Sequence, residues 1–344
     1  MLRIRHLFVA VALFAGLLSI LQAQAPALLI RVATSAPDKS EWHDALLQLG
    51  DSLKKGTANR AGLRINAGGT QGSEKAVIDR MMTGGPVDAA LLTANGLALI
   101  DDSFNVFGIP FFFESEAELR HVQERLTPML AAKLEAKRFH LLSWGDGGWV
   151  QLFSKKPLKT LAEVKRAKLY TSEGNDRMMQ WYKANGFNAV ALPDSEIMKQ
   201  LKALNGIEAV PIPPYPAQLL GLYRDAPNML QMQVAQLVGA MIITTGTWNK
   251  LSEADRKVLT DASKAMQTRL EREVPKKDDA SVAEMQKEGR DLKVTALDPK
   301  AVAEFRSEAA KMTAAMSGSI VPSDVFDAAI RERNAYRAAR PGSR

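Results

Sequence analysis

A short glycine-rich segment is the best candidate for a ligand-binding loop in this sequence. It runs from Gly68 to Glu74 as Gly-Gly-Thr-Gln-Gly-Ser-Glu, and glycine lets backbone approach a bound group closely. Ser73 can cap a following helix, whose free N–H groups could hold an anion. The segment lacks the Gly-Lys pair of a nucleotide-binding loop. A plain strand-to-helix turn is the simpler interpretation of the spacing alone.

No other cluster of residues predicts catalysis or metal binding. His43, His121 and His140 have neither a second histidine nor a carboxylate at the spacing of a metal-binding motif. The sequence contains no G-x-S-x-G nucleophile elbow, no P-loop and no dinucleotide fingerprint. We therefore expect no metal, no cofactor and no enzyme activity. Scattered catalytic groups would leave no such signature, so a secreted enzyme stays as an alternative.

The N-terminus has the layout of a secretory signal peptide over residues 1–25. Arg3 and Arg5 give a basic head, Leu7 to Leu21 is almost wholly apolar, and Ala23-Gln24-Ala25 offers small residues for cleavage. The apolar run is short for a membrane span, although a membrane anchor is the alternative. We expect export to the periplasm, with cleavage after Ala23 or Ala25.

Composition agrees with an exported globular protein. The 344 residues are 46% hydrophobic and contain no cysteine, so stability must come from core burial rather than disulfides. The net charge of +7 includes a basic C-terminal stretch with Arg331, Arg333, Arg337, Arg340 and Arg344. Such a tail can bind nucleic acid or membrane, but a solvated terminal helix is the simpler interpretation. Secretion also argues against a nucleic-acid partner.

Short β-like runs alternate with amphipathic helices, which is typical of α/β architecture. We predict a two-lobed fold with a ligand cleft between the lobes and with strands and helices crossing between them. Lobe I comprises residues 28–144 plus about 236–275, and lobe II comprises 145–235 plus about 276–338. Pro275 is expected to interrupt or kink the long helix near the second crossing.

Several ordered segments resemble the C4-dicarboxylate-type solute-binding proteins of tripartite ATP-independent periplasmic (TRAP) transporters. Those proteins carry a G-x-E helix start, a G-x-[IV]-D segment, an L-P-F segment, an S-x-K-P-I region and a W-x-x-L segment. The corresponding segments here are Gly72–Glu74, Gly85–Asp88, Ile109–Phe111, Ser154–Leu158 and Trp248–Leu251. The resemblance extends from about residue 28 to 275.

This resemblance implies two α/β lobes that close on a solute and deliver it to a membrane permease pair. It also implies that an ion gradient, not ATP, drives transport. Closure adds contacts from the second lobe, so a ligand shifts the population towards the closed form.

Two departures from the family pattern concern the ligand. Family members hold a carboxylate with an arginine just after a K-[IL] pair, where this chain has Tyr170, and a second family arginine falls near Trp149. A planar guanidinium suits a carboxylate well. We therefore predict that the ligand is not a simple dicarboxylate and that aromatic walls favour an apolar, planar or sugar-like solute. The alternative is that both aromatic residues belong to the core.

Two further observations nominate site residues. Asn95 follows the third predicted strand, and open α/β sheets place ligands at the carboxyl ends of their strands. The run Pro211-Ile212-Pro213-Pro214-Tyr215-Pro216 follows Glu208 and cannot continue a strand ladder; it either lines the cleft or connects the lobes rigidly. The predicted ligand-binding residues are Trp42, Glu74, Asn95, Trp149, Tyr170, Glu208 and Tyr215.

A second hypothesis keeps the same fold but changes the ligand and the partner. Some divergent TRAP systems carry a tetratricopeptide-repeat protein in the envelope. The chain could therefore be a receptor for hydrophobic ligands that hands them to such a helical-repeat partner.

Overall fold

A computed structural model describes residues 26–287 and 289–340. The predicted signal peptide lies outside the described residues. Eleven strands are found in the described part. They are β1 (Leu28–Thr34), β2 (Ala61–Asn66), β3 (Ala89–Thr93), β4 (Phe139–Trp149), β5 (Gln151–Ser154), β6 (Leu169–Ser172), β7 (Ala189–Leu192), β8 (Ala209–Ile212), β9 (Asn228–Gln231), β10 (Gln236–Thr244) and β11 (Lys293–Ala296).

The strands form two separate sheets. The first sheet has the order β2-β1-β3-β10-β4, with β1 parallel to both neighbours and β10 antiparallel to β3 and β4. The second sheet has the order β11-β9-β5-β8-β6-β7, with β5 antiparallel to β8 and β9. The predicted α/β, two-lobed architecture is confirmed.

Twelve α-helices connect and cover these strands within the described residues. They are α1 (Glu41–Gly56), α2 (Glu74–Met82), α3 (Ala94–Ala98), α4 (Glu116–Ala136), α5 (Leu161–Arg166), α6 (Asp176–Ala184), α7 (Ile197–Lys202), α8 (Pro214–Leu219), α9 (Thr245–Trp248), α10 (Glu253–Met285), α11 (Pro299–Met316) and α12 (Ser323–Ala338). Short 3₁₀ turns cover Asp102–Gly108, Asp194–Glu196 and Leu222–Arg224. None of the helices in the described ranges is long and apolar enough to cross a membrane.

Side chains along each strand of the first sheet point alternately to its two faces. Helices cover both faces, so the sheet is buried on both sides. Ala90 and Leu92 of β3 belong to one core, which α4 and α12 cover. Ala89 and Leu91 of the same strand belong to a second core, which α1 and α10 cover. This double covering explains why the strands read as continuous apolar runs in the sequence.

Helix α10 passes through Pro275 without interruption, so the predicted interruption is wrong, while a kink at this proline stays a prediction. Proline removes one backbone hydrogen bond, but the helix is held on both sides of it. Leu270 and Val274 are fully buried before the proline, and the Asp278 carboxylate accepts a hydrogen bond from the Tyr215 backbone N–H after it. These contacts keep one helix of 33 residues, which packs against α1, β4 and α8.

The Pro211–Pro216 run is structured differently from the prediction. Pro211 lies within β8, opposite Leu152 of β5. The ladder between β6 and β8 is confined to Ala209, so no strand on that side needs an N–H from Pro211. Pro214 then starts helix α8, in the first-turn position where proline is favoured.

The division into lobes stays a prediction, but the C-terminal helix packs differently from it. The prediction assigns residues from about 276 to 338 to the second lobe. Helix α12 instead packs on α4, and Val325 and Phe326 fill the core of the first sheet. Phe305 of α11 belongs to a core of the second sheet. The chain therefore passes from the second sheet to the first between α11 and α12.

Candidate functional site

An open crevice lies between the two sheets. The first-sheet side contributes the start of α2 and the residues after β3, and the second-sheet side contributes the ends of β6 and β7. The lining residues are Ser73, Glu74, Lys75, Asn95, Gly96, Leu99, Ser172, Glu173, Leu192, Pro193 and Asp194. The glycine-rich segment therefore ends at the crevice, because Ser73 caps helix α2 there.

Glu74 is fixed at the end of β3. Its carboxylate accepts hydrogen bonds from the Thr93 backbone N–H at 2.7 Å and from the Thr93 hydroxyl at 2.6 Å. Gly96 makes room for it, since a Cβ there would overlap the carboxylate. Burial, and next the charge of Asp194, raise the pKa of Glu74 to about 8, although the Thr93 hydrogen bonds act in the opposite direction.

Tyr170 and Asp194 face each other across the end of β6. The Tyr170 hydroxyl donates to the Asp194 carboxylate and lies 3.2 Å from the Ser172 hydroxyl. Burial raises the pKa of Asp194, and burial with the Asp194 charge raises the pKa of Tyr170. The tyrosine ring is in the second-sheet core, so only its hydroxyl acts at the crevice.

Three polar contacts join the sides of the crevice. The Asn95 amide lies 3.5 Å from the Ser172 hydroxyl. Beside it, the Asn175 amide donates to the Asn105 side chain at 3.0 Å. The Arg177 guanidinium pairs with Asp102 at 2.7 Å. The two halves of the molecule therefore meet around this space, as required of a cleft that encloses a solute.

The charges of the crevice are unbalanced. Its lining includes the carboxylates of Glu74, Glu173 and Asp194, and none of them forms an ion pair with a residue of the described ranges. Lys75 is the one cationic lining residue; its ammonium group pairs with Asp79 at 2.7 Å, and the charge of Glu173 also attracts it. A solute in this crevice meets hydroxyl, amide and carboxylate groups without a free guanidinium.

Trp42 and Tyr215 lie together, away from the crevice lining. Their rings stack with centroids 5.0 Å apart, and both residues are buried. The Trp42 indole donates to the Asp146 carbonyl at 2.7 Å, and the Tyr215 hydroxyl accepts from the Glu41 backbone N–H at 3.0 Å. This pair joins α1 to α8 beside the junction of the two sheets, and its polar atoms are already satisfied.

Trp149 and Glu208 are also absent from the crevice lining. Trp149 is partly buried against the core of the first sheet, at the end of β4. The Glu208 carboxylate accepts a hydrogen bond from the Lys168 backbone N–H at 2.9 Å. Of the seven predicted residues, the structure brings Glu74 and Asn95 to the crevice, with the Tyr170 hydroxyl at its edge.

The junction between the sheets carries a second group of acids. Asp146 accepts hydrogen bonds from the Gly148 N–H and the Gln236 amide, and it lies 3.5 Å from Arg120. Burial raises the pKa of Asp146 and raises that of Asp278 to about 7. No group of three or more potential metal ligands is found in the part of the chain that the structure describes.

Asp194, Glu173 and Ser172 are crevice residues that the sequence analysis did not name. All three lie at the carboxyl ends of strands of the second sheet. Ser172 is the last residue of β6, Glu173 follows it, and Asp194 comes two residues after β7. The strand-end rule that nominated Asn95 would have found them if applied to both sheets.

Comparison with known proteins gives one family and many similar folds. The DctP family, described as bacterial extracellular solute-binding protein, family 7, matches residues 32–318. An uncharacterized protein of Haemophilus influenzae is 25% identical over 240 residues, which cover 66% of this chain and 70% of that protein.

Solved structures of TRAP periplasmic solute-binding proteins superpose over nearly their whole length. The Xanthobacter autotrophicus protein with bound β-D-galacturonate is 18% identical with a TM-score of 0.81, covering 89% of this chain and 99% of its own. The Haemophilus influenzae protein with bound L-gulonate is 20% identical with a TM-score of 0.81, covering 90% and 99%. The Advenella mimigardefordensis sugar acid binding protein in complex with galactonate is 17% identical with a TM-score of 0.81, covering 90% and 100%.

At these identities the superpositions show the fold, while the family match extends over most of the chain. Both agree with the two sheets and the crevice between them. The chain belongs to the DctP family of bacterial extracellular solute-binding proteins and has the two-lobed fold of TRAP solute-binding proteins.

Proposed function

We propose that this protein is a periplasmic receptor that captures one small polar organic solute in the crevice and delivers it to a TRAP-type membrane permease. The crevice itself carries the proposal, because both halves of the molecule line it and meet across it through Asn95 and Ser172. A solute that contacts both halves stabilises the closed arrangement more than any open one. Binding and closure are thereby coupled, and the closed form is what a permease would recognise.

The lining supports a hydroxyl-rich solute rather than a simple dicarboxylate. Seven of the eleven lining residues are polar or charged. Tyr170 occupies the position where the family resemblance places an arginine, and its hydroxyl is already engaged with Asp194. The similar structures named above hold galacturonate, gulonate and galactonate, which are polyhydroxylated. The hydroxyl, amide and carboxylate groups of the lining therefore suit a small polyhydroxylated solute.

The same lining gives no support to the two alternative functions. A receptor for hydrophobic ligands that works with a tetratricopeptide-repeat partner would need a mainly apolar cleft, whereas Leu99, Leu192 and Pro193 are the large apolar residues here. We propose transport without catalysis, because the family that the chain belongs to is one of solute-binding proteins.

Native mass spectrometry of the mature protein purified gently from a periplasmic extract tests this proposal. We expect one organic molecule bound to each chain, identifiable after release. Ser172→Trp should fill the crevice and abolish binding, whereas Ser307→Trp, at an exposed position of α11, should retain it. Solute carried equally by both variants, or by neither variant nor the wild type, would contradict the proposal.

A further inference from the structure

We propose that helix α6 and the residue before it act as a latch between the two halves of the molecule and set the balance between its open and closed forms. The latch residues are Asn175, Arg177, Met178 and Trp181, none of which is a lining residue of the crevice. This inference rests on the proposed receptor function, in which closure accompanies capture. It goes beyond that function by assigning part of the free energy of closure to side chains that the solute does not touch.

Asn175 joins the start of α6 to a buried side chain of the first-sheet half. Its amide N–H donates to the Asn105 side-chain oxygen at 3.0 Å, while its own oxygen caps α6 by accepting from the Met178 backbone N–H. Asn105 is only 5% exposed, and its amide N–H donates to the Ile320 carbonyl. The contact from Asn175 therefore satisfies a buried oxygen that would be costly to leave without a partner.

Arg177 makes a second polar contact with the same half. Its guanidinium pairs with Asp102 at 2.7 Å and donates to the Ser319 carbonyl at 3.2 Å. Asp102 belongs to the 3₁₀ turn that also contains Asn105, and Ser319 lies shortly before α12. Because this ion pair is exposed, its contribution to closure is modest. It adds to the Asn175 contact, since both reach one turn of the first-sheet half.

An apolar side of α6 also packs on the first-sheet half. Met178 and Trp181 are three residues apart, so they lie on one side of the helix. Both pack against the core of the first sheet, although α6 follows β6 of the second. Just before the helix, Gly174 has a φ of +94°, and a Cβ there would lie 2.9 Å from Leu99. The two halves are therefore in close contact along the start of α6.

The latch contacts can form only when the two halves are together, so they stabilise the closed form whichever solute is bound. The apparent affinity of a receptor is its intrinsic affinity scaled by the fraction of protein in the binding-competent form. The latch therefore adjusts the affinity for every solute by the same factor. Selectivity among solutes stays with the side chains of the crevice lining.

Distance measurements between two spin labels test the latch without any solute. The chain contains no cysteine, so Met82→Cys on α2 and Lys202→Cys on α7 place one label on each half at an exposed position. In the solute-stripped mature protein, Arg177→Glu should lower the ratio of closed to open populations about fivefold, because a second carboxylate then faces Asp102. Asn175→Asp should lower it similarly, since it keeps the cap of α6 but loses the donor to Asn105.

A charge exchange separates a latch from a local structural role. Combining Arg177→Glu with Asp102→Arg restores opposite charges and should recover most of the wild-type ratio. Lys183→Glu makes the same change of charge at an exposed position of α6 and should leave the ratio unchanged. Equal distance distributions in wild type and Arg177→Glu, or no recovery in the double variant, overturn the latch. Solute retention in the mass-spectrometric experiment decides the receptor function separately, so the two failures are distinguishable.

Discussion

Tyr170 donates its hydroxyl hydrogen to Asp194, and this contact satisfies both groups within the second sheet. Strand β6 supplies the tyrosine, and the 3₁₀ turn after β7 supplies the acid. The position that the family resemblance assigns to a carboxylate-binding arginine is therefore committed to an internal hydrogen bond. At this position the crevice has the carboxyl group of Asp194, where the family resemblance places an arginine guanidinium.

Removing the Tyr170 hydroxyl should change both the stability of the protein and the pKa of Asp194. Tyr170→Phe should lower the free energy of unfolding by about 1 kcal/mol, a usual value for one lost hydrogen bond. It should also raise the pKa of Asp194 further, because the hydrogen bond from Tyr170 stabilises the carboxylate. Carboxyl-carbon NMR titration and urea denaturation measure the two effects. Tyr182→Phe is the control, because Tyr182 packs through its ring against Trp181 and Phe187, and the substitution keeps that ring. A lower Asp194 pKa in Tyr170→Phe would contradict the account.

The raised pKa of Glu74 makes stability depend on pH. Its pKa is about 8 in the fold and 4.5 ordinarily. The stabilising contribution is therefore complete below pH 4.5 and is lost as the pH rises through 8. Glu74→Gln keeps an acceptor for the Thr93 N–H but cannot ionise. The unfolding free energy of the wild type should therefore fall relative to that of Glu74→Gln by about 4 kcal/mol between pH 5 and pH 9. A difference independent of pH would show that Glu74 titrates normally.

The fit between Gly96 and Glu74 predicts a substitution that damages the crevice. Gly96→Ala would place a Cβ against the Glu74 carboxylate and push it out of its Thr93 hydrogen bonds. We expect solute affinity to fall at least about tenfold. Gly246→Ala is the matched control, because nothing lies within 4 Å of its added Cβ. Unchanged affinity in Gly96→Ala, measured by isothermal titration, would remove Glu74 from the site.

Substitutions of Trp42 and Tyr215 should lower the stability of the protein without changing its affinity for the solute. Trp42→Phe loses the hydrogen bond to the Asp146 carbonyl, and Tyr215→Phe loses the one from the Glu41 N–H. Each should cost about 1 to 2 kcal/mol of unfolding free energy. Neither residue lines the crevice, so solute affinity should stay within about twofold of wild type. A loss of affinity with stability intact would support the prediction that these residues contact the ligand.

The junction between the sheets depends on Gly148. Its φ of +88° suits glycine, and a Cβ there would overlap the Asp278 carboxylate. Gly148→Ala should destabilise the protein by about 3 kcal/mol, the range expected for combined backbone strain and steric overlap. Thermal unfolding measures this loss, again with Gly246→Ala as the control. A melting temperature equal to that of the control would show that the junction tolerates a side chain.

The sequence was sufficient for the architecture because strand and helix periodicities are local. Strand β1 was predicted at Leu28–Thr34, where the structure has it. The continuity of α10 through Pro275 was not predictable, because distant contacts such as Tyr215 to Asp278 hold the helix together. Strand β11 was missed for a related reason, since its pairing with β9 joins segments far apart in the chain.

The site was only partly predictable. Glu74 and Asn95 could be placed at the crevice because a loop and a strand end carry local signals. The burial of Trp42 and Tyr215 in a core could not be predicted, because an aromatic residue in a core and one in a cleft look alike in sequence. As ligand contacts, all four residues stay predictions. The charge balance of the crevice depends on which lysines and arginines find partners elsewhere, as Lys75 does with Asp79, and that is a property of the folded chain.

The position of a co-purified solute, read from a crystal structure of the mature protein, tests the central claim most directly. The account predicts electron density for one small molecule between Glu74, Asn95 and Asp194, within hydrogen-bonding distance of both sides of the crevice. A second crevice of the described residues is lined by Arg120, Gln236 and Glu271, among others. Density in that second crevice, or a solute that contacts only one of the two sheets, would contradict the account.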